Sequence, residues 1–319
     1  MLHRQIPNTK LEVSPISLGT VGFGNTINRQ DAFGLLDYFV ERGGNLLDTA
    51  HVYSNWLAGE KHMSEKTIGL WMKSCQNRQK IIVSTKGAHP KLETMQLGRL
   101  SRLEIQTDLE ESLEHLQTDW IDLYWLHRDD PARPVEDILG TLNELVKRGT
   151  IRYFGASNWS LERLRLAQEY AVLHGIQGFV ASQVMWSAAV IEPSAIPDQT
   201  MVVMDNDLIA YHNSTGLAAM PYSAQANGLF QRILSGSLEQ MNPDARRPYP
   251  LAGNLERSRQ IQRIQQTTNW TITQIVLNYL ISQPFLTVPI VGCRTLQQLE
   301  DSLSALVVNS TVPLLELLV

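Results

Sequence analysis

Asn45-Leu46-Leu47-Asp48-Thr49-Ala50-His51-Val52-Tyr53 is a short apolar run ending in an acid, with Gly43-Gly44 ahead of it and a tyrosine five residues past the acid. Apolar runs of this length read as buried strands. A strand that ends on Asp48 and passes into a loop carrying Tyr53 delivers polar groups to a pocket rim. For the stretch alone, a strand-end Asp capping the next turn beside a packed Tyr competes with that reading. The rest of the chain decides between them.

Working outward, the chain alternates. Upstream, Asn8-Thr9-Lys10 reads as a hairpin turn between two short strands. Val13 to Thr20 is a strand and Gln30 to Arg42 a helix stopped by Gly43. Downstream, Ser64 to Lys73 is helical and Lys80 to Gly87 a strand. Ser101 and Glu104 have capping-box spacing ahead of a helix through Leu116. Trp120 to His127 is a strand, and Val135 to Arg148 a helix stopped by Gly149. The second half repeats the rhythm with strands at Ile151 to Ser157, Phe179 to Val184, Leu217 to Ser223 and Thr287 to Val291. Its helices are Ser160 to His174, one within Asp198 to Thr215, Leu255 to Thr267, Thr271 to Ser282 and Thr295 to Leu306. Gln225 to Asn254 reads as mostly loop with a helical piece at Leu229 to Leu234.

Eight strand–helix alternations in 319 residues predict a (β/α)8 TIM barrel of the α/β class. It has an N-terminal β-hairpin and elaborated βα-loops. An open doubly wound sheet is the competing fold. It wants a Gly-rich turn after the first strand, and Gly19-Thr20-Val21-Gly22-Phe23-Gly24 imitates one only loosely. No composition shift marks a boundary, so residues 1–319 are expected to form one domain.

Composition narrows the function classes. The chain is 43% hydrophobic and 18% charged, with a formal net charge of −5. No Lys/Arg block stands out, so a nucleic-acid role has no electrostatic support. Cys75 and Cys293 lack metal-ligand spacing and suit a reducing compartment. Met1 to Pro7 lacks a signal-peptide core, and no apolar run spans a bilayer. A cytoplasmic protein without membrane partners is expected.

Catalytic groups of such barrels sit at the C-terminal strand ends. Those ends read Gly19-Thr20, Asp48, Lys86, His127, Ser157-Asn158, Gln183, Tyr222-Ser223 and Gly292. Alternation puts Ile82, Ser84 and Lys86 on one face, and Leu123, Trp125 and His127 on another. Asp48, on the neighbouring strand, is placed to pair with Lys86. His127 is either a pocket group or a core histidine satisfied by backbone. A phenol near neutrality needs help to exchange its proton, and an adjacent ammonium favours the phenolate. An acid keeps that ammonium charged, and a histidine orients a substrate oxygen. Such a set polarises a carbonyl and supplies a proton, while hydride must come from a cofactor.

Asp48-Thr49-Ala50 with Tyr53, Ser84-Thr85-Lys86, Asp122-Leu123-Tyr124 leading to His127, and Gly155-Ala156-Ser157-Asn158 resemble, in order, the signatures of the aldo-keto reductase superfamily. The resemblance covers nearly the whole chain. It implies a barrel that binds NADPH in extended form and reduces a small-molecule carbonyl compound. Tyr53 would be the general acid, Lys86 would lower its pKa, Asp48 would pair with Lys86, and His127 would orient the carbonyl. Ser157, Asn158 and Gln183 would meet the nicotinamide amide, and Tyr222 would stack on its ring. Thr20, Ser223, Gln225, Gly292, Arg294, Gln298, Asp301 and Ser302 would complete the cofactor site. Arg294 would take the 2′-phosphate, with a solvated surface arginine as the competing reading. Asp301 and Ser302 depart from the family's Glu-Asn pair, and Tyr222-Ser223-Ala224-Gln225 from its Tyr-Ser-Pro-Leu. Trp56 and Trp125 are the preferred substrate-pocket residues among His51, Trp56, His89, Trp125 and Trp186. His127-Arg128-Asp129-Asp130 justifies no metal site. Some family barrels are potassium-channel β subunits, so a cofactor-binding regulatory subunit is the alternative function.

Overall fold

The computed structural model describes residues 1–308 and 314–317. Strands β1 (Arg4–Gln5) and β2 (Glu12–Val13) pair antiparallel, as the Asn8-Thr9-Lys10 turn predicts. Eight parallel strands follow: β3 (Ser17–Gly19), β4 (Leu46–Asp48), β5 (Ile82–Gly87), β6 (Ile121–Leu126), β7 (Ile151–Ser157), β8 (Ala181–Gln183), β9 (Ala218–Ala219) and β10 (Ile290–Val291). From β3 to β9 each pairs with the next, and β10 returns to β3. The bridge between Ala219 and Thr287 joins β9 to the approach of β10, giving the (β/α)8 barrel.

Helices α1 (Arg29–Glu41), α2 (Met63–Cys75), α3 (Arg102–Leu116), α4 (Val135–Arg148), α5 (Leu161–His174) and α6 (Asn206–Thr215) alternate with the strands. They are followed by α7 (Leu229–Leu234), α8 (Pro243–Arg246), α9 (Leu251–Thr268), α10 (Ile272–Ile281), α11 (Leu296–Ser304) and α12 (Leu314–Leu317). The capping box of Ser101 and Glu104 opens α3. Gly149 ends α4 at φ 79°, a conformation that favours glycine.

Two apolar layers result. One cluster lies between barrel and helices, with Leu47, Val83, Tyr124 and Phe154 facing Leu36, Ile68, Leu109 and Leu142. The other fills the barrel, where Leu46, Leu123, Trp125, Ala181, Met220 and Val288 meet Ile6, Leu11 and Val13 of the hairpin. The hairpin therefore plugs the N-terminal end of the barrel, opposite the functional strand ends.

Several elements are shorter than expected. The expected Leu217 to Ser223 strand reduces to β9, and Thr287 to Val291 to β10, because Pro221 and Pro289 cannot donate to a ladder. Their carbonyls still accept, from Ile290 and Ser17. Within 225–254 the expected α7 forms, and α8 and the start of α9 form too. Pro243 at the first turn of α8, with Asn242 capping it, explains the former. The 184–205 segment is tied to this region, since Asn254 exchanges hydrogen bonds with both backbone groups of Val190.

Candidate active site

Strand register assembles the site. Asp48 is level with Ser84, and Lys86 with Trp125. Beyond β4 the chain keeps pairing with β5, with Thr49 N–H donating to Ser84 O and His51 N–H to Lys86 O. A turn closed by Tyr53 N–H donating to Ala50 O then folds Tyr53 back over Lys86.

The Lys86 ammonium has all three donors used. It donates to Asp48 Oδ2 at 2.6 Å, to Thr49 O at 2.8 Å and to the Tyr53 hydroxyl at 3.0 Å. Lys86 and Asp48 are each 1% exposed. Burial opposes the charge on Lys86, but Asp48 and Tyr53 outweigh it and hold the amine above its ordinary value. Asp48 Oδ1 accepts from Ser84 Oγ at 3.2 Å and from Gln183 Nε2 at 3.1 Å.

Tyr53 departs from expectation. Burial pushes its phenol above the usual range, and Lys86 pulls it down without reversing the balance. Lys86 acts in the expected direction, but the net shift is upward, so the phenol is protonated at neutral pH. His127 stands across from it, the two rings edge-on with centroids 6.0 Å apart. Burial, then Arg128 and His89, hold His127 well below its ordinary value. It is a neutral imidazole whose buried Nδ1 has no partner among the described residues.

A second polar group lies beside this set. Asn158, in the left-handed region at φ 59°, accepts from Tyr222 Oη at 2.7 Å and from Val202 N–H at 3.1 Å. Its amide donates to Ser157 Oγ at 3.0 Å, and Ser157 Oγ donates to Gln183 O at 3.0 Å. Tyr53, Lys86, Asp48, His127, Ser157, Asn158, Gln183 and Tyr222 are thus brought together. An ammonium-held phenol facing a neutral imidazole can donate a proton to an oxygen placed between them.

A model of the aldo/keto reductase family matches residues 15–312. The chain belongs to the aldo/keto reductase family. Norsolorinic acid reductase B of Dothistroma septosporum is 30% identical, with 96% of this chain and 78% of that protein covered. A putative aryl-alcohol dehydrogenase of Saccharomyces cerevisiae is 28% identical, covering 97% of this chain and 83% of that protein. A solved thermostable aldo-keto reductase in complex with the inhibitor epalrestat matches at TM-score 0.71 and 24% identity, covering 100% of this chain and 98% of that one. Enzymes of the family generally use NADP(H).

In this aldo-keto reductase some expected site residues sit elsewhere. Trp125 is fully buried inside the barrel and donates to Ser84 Oγ at 2.7 Å, so it is a packing residue and not a pocket wall. Gly155 on β7 makes room for it, since a Cβ there would lie 2.3 Å from the indole. Trp56 is exposed, edge-on to Tyr53 with centroids 6.3 Å apart. Trp186 is buried against Tyr279 and Phe285. Thr20 is fully buried, its hydroxyl donating to Asp48 O and paired with Ser64, so it ties the ends of β3 and β4 together. Ser302 is also turned inward, accepting from Gln225 Nε2 and donating to Gln298 O. Ser223 is held in the left-handed region at φ 54°. Asp301 accepts from Thr271 Oγ1 at 3.3 Å. Gly292 and Arg294 are exposed, and Gln298 accepts from Arg294 N–H at the start of α11.

Two further groups border the set: His89, already among the pocket candidates, and Arg128, to which the sequence pattern gave no role. His89 lies edge-on to His127 at 4.7 Å. Arg128 donates to His127 O, Thr200 Oγ1 and Asp198 Oδ2, which pins the 184–205 segment to the end of β6. Its position directly after His127 was the available signal. Two depressions along α5, of about 310 and 490 Å3, share no residue with the Tyr53 set.

Proposed function

We propose that this oxidoreductase is an NADPH-dependent reductase of aldehydes or ketones, running in the other direction as an alcohol dehydrogenase. The observation that carries the reading is the protonated Tyr53 phenol held 3.0 Å from Lys86 Nζ and facing neutral His127. A substrate carbonyl oxygen between them accepts hydrogen bonds from both. Tyr53 then gives its proton to that oxygen as negative charge develops, and Lys86 stabilises the phenolate left behind. Asp48 keeps Lys86 charged and fixed in place.

The residues fit a nicotinamide dinucleotide, which supplies the hydride when bound. The Ser157, Asn158 and Gln183 amide and hydroxyl groups suit a carboxamide, and half-buried Tyr222 beside them suits a planar ring. Gly292 leaves open space at the end of β10, and exposed Arg294 suits a phosphate at the start of α11. Asp301, Gln298, Gln225 and Ser223 border that end. Trp56 beside Tyr53 and the relatives' aryl-alcohol chemistry favour an aromatic carbonyl substrate. The chain acts as one barrel domain in a reducing, cytoplasmic setting, as its two free cysteines favour.

The test is a panel of aryl and alkyl aldehydes and ketones, followed by NADPH absorbance. Turnover favouring aryl carbonyls supports the reading, and no turnover with any of them contradicts it.

A further inference from the structure

Three histidines from separate segments meet beside the Tyr53 loop. His51 lies in that loop, His62 precedes α2, and His115 is in the last turn of α3. One ring nitrogen of each lies within 4.8 Å of the other two. The ring centroids form a triangle, with sides of 4.2 Å (His51–His62), 4.5 Å (His62–His115) and 6.0 Å (His51–His115). All three are half-buried.

Each ring has one nitrogen already committed to an oxygen acceptor. His62 Nδ1 is 2.6 Å from His51 O, and a carbonyl only accepts, so that nitrogen carries the proton. His115 Nδ1 is 3.1 Å from the fully buried Glu65 carboxylate, and His51 Nε2 is 2.7 Å from Glu111. The lone pairs left free in the neutral rings are Nε2 of His62, Nε2 of His115 and Nδ1 of His51. Metal-ligating histidines are oriented in this way, donating their other N–H to a carboxylate or a backbone carbonyl. The proposed reduction uses none of these three rings.

We infer that His51, His62 and His115 form a binding site for a divalent cation of the zinc class. Three imidazoles, each offering one ring nitrogen, with water in the fourth position, suit Zn2+. The rings must draw inward, because tetrahedral Zn–N bonds of about 2.0–2.1 Å put ligand nitrogens roughly 3.3 Å apart. The segment between His51 and His62 consists of turns and bends, and it supplies that movement. The nearest competitor for His51 Nδ1 is Asp108 Oδ2 at 3.8 Å, a carboxylate already held by Arg99 and the Ala88 N–H. His51 N–H donates to Lys86 O, and Tyr53 follows two residues later, so a bound metal braces the loop that carries Tyr53. The members stand far apart along the chain, which is why spacing along the sequence does not show the site.

The experiment titrates the chelator-treated full chain with Co2+ and with Zn2+. One Co2+ per chain should bind, with visible d–d absorption and no thiolate charge-transfer band, and Zn2+ should raise the melting temperature. His62→Ala combined with His115→Ala should abolish both effects. Glu111→Gln, at an exposed position that only orients His51, should weaken binding by about 10–100-fold. His174→Ala, exposed and remote, should change nothing. The inference is overturned if the parent binds no more metal than the double variant, or if a thiolate band points to Cys75. Should the double variant misfold, parent-like affinity in Glu111→Gln would overturn it instead.

Discussion

The Lys86 ammonium donates to the Tyr53 hydroxyl across 3.0 Å, although the two residues are 33 positions apart and on different segments. The contact exists because the chain beyond β4 stays paired to β5 up to Lys86 before turning back. A buried cation is thus placed where a phenolate would form, and Asp48 balances it while substrate is absent.

That balance predicts a stability effect. Lys86→Met leaves the Asp48 carboxylate buried without its cation, and breaking a buried pair from one side costs about 3–5 kcal/mol. The double variant Asp48→Asn/Lys86→Met should recover much of this loss while remaining inactive. Urea unfolding of the three proteins checks it. A parent-like midpoint for Lys86→Met would show that the pair is not a stabilising unit.

Acid sensitivity follows from the histidines near the pocket. Burial and then Arg128 hold His89 down to about 4, against about 6.5 for a free histidine. The unfolded chain takes up this proton first, so His89 costs no stability above about pH 6.5. The cost then grows as pH falls toward 4. His127 is shifted in the same direction. His89→Gln should therefore reduce the stability lost between pH 7 and pH 4 by about 3 kcal/mol, at about 1.36 kcal/mol per unit. Denaturation midpoints across that range test it, and identical acid slopes in parent and variant would contradict it.

We propose that cofactor choice rests on Arg294. An arginine at the start of α11 bonds a 2′-phosphate through two N–H groups, assisted by the helix dipole. Charged hydrogen bonds contribute about 1.5–3 kcal/mol, so Arg294→Ala should weaken NADPH binding roughly tenfold to a hundredfold. NADH binding should change little. Paired fluorescence titrations decide the matter. Equal losses for both cofactors would assign Arg294 to the fold or to the shared phosphates.

The strand ends were legible because each closes an apolar run with a polar residue, as Leu46-Leu47-Asp48 does. The α3 capping box was legible from two residues alone. Alternation placed Trp125 on the inward face but could not give its depth, which depends on the space opposite it at Gly155. Ser302 also accepts from Gln225, 77 residues away, and local pattern carries no such information. The upward shift of Tyr53 escaped for a related reason: the sequence names the neighbouring charge but not how much water the loop excludes.

We propose that Tyr53 donates the proton. The most direct measurement is single-turnover reduction of an aryl aldehyde by Tyr53→Phe, with NADPH binding followed in parallel by fluorescence. NADPH affinity should stay near the parent's, and the rate should fall about 10²–10⁴-fold. Reduction at the parent rate would contradict it.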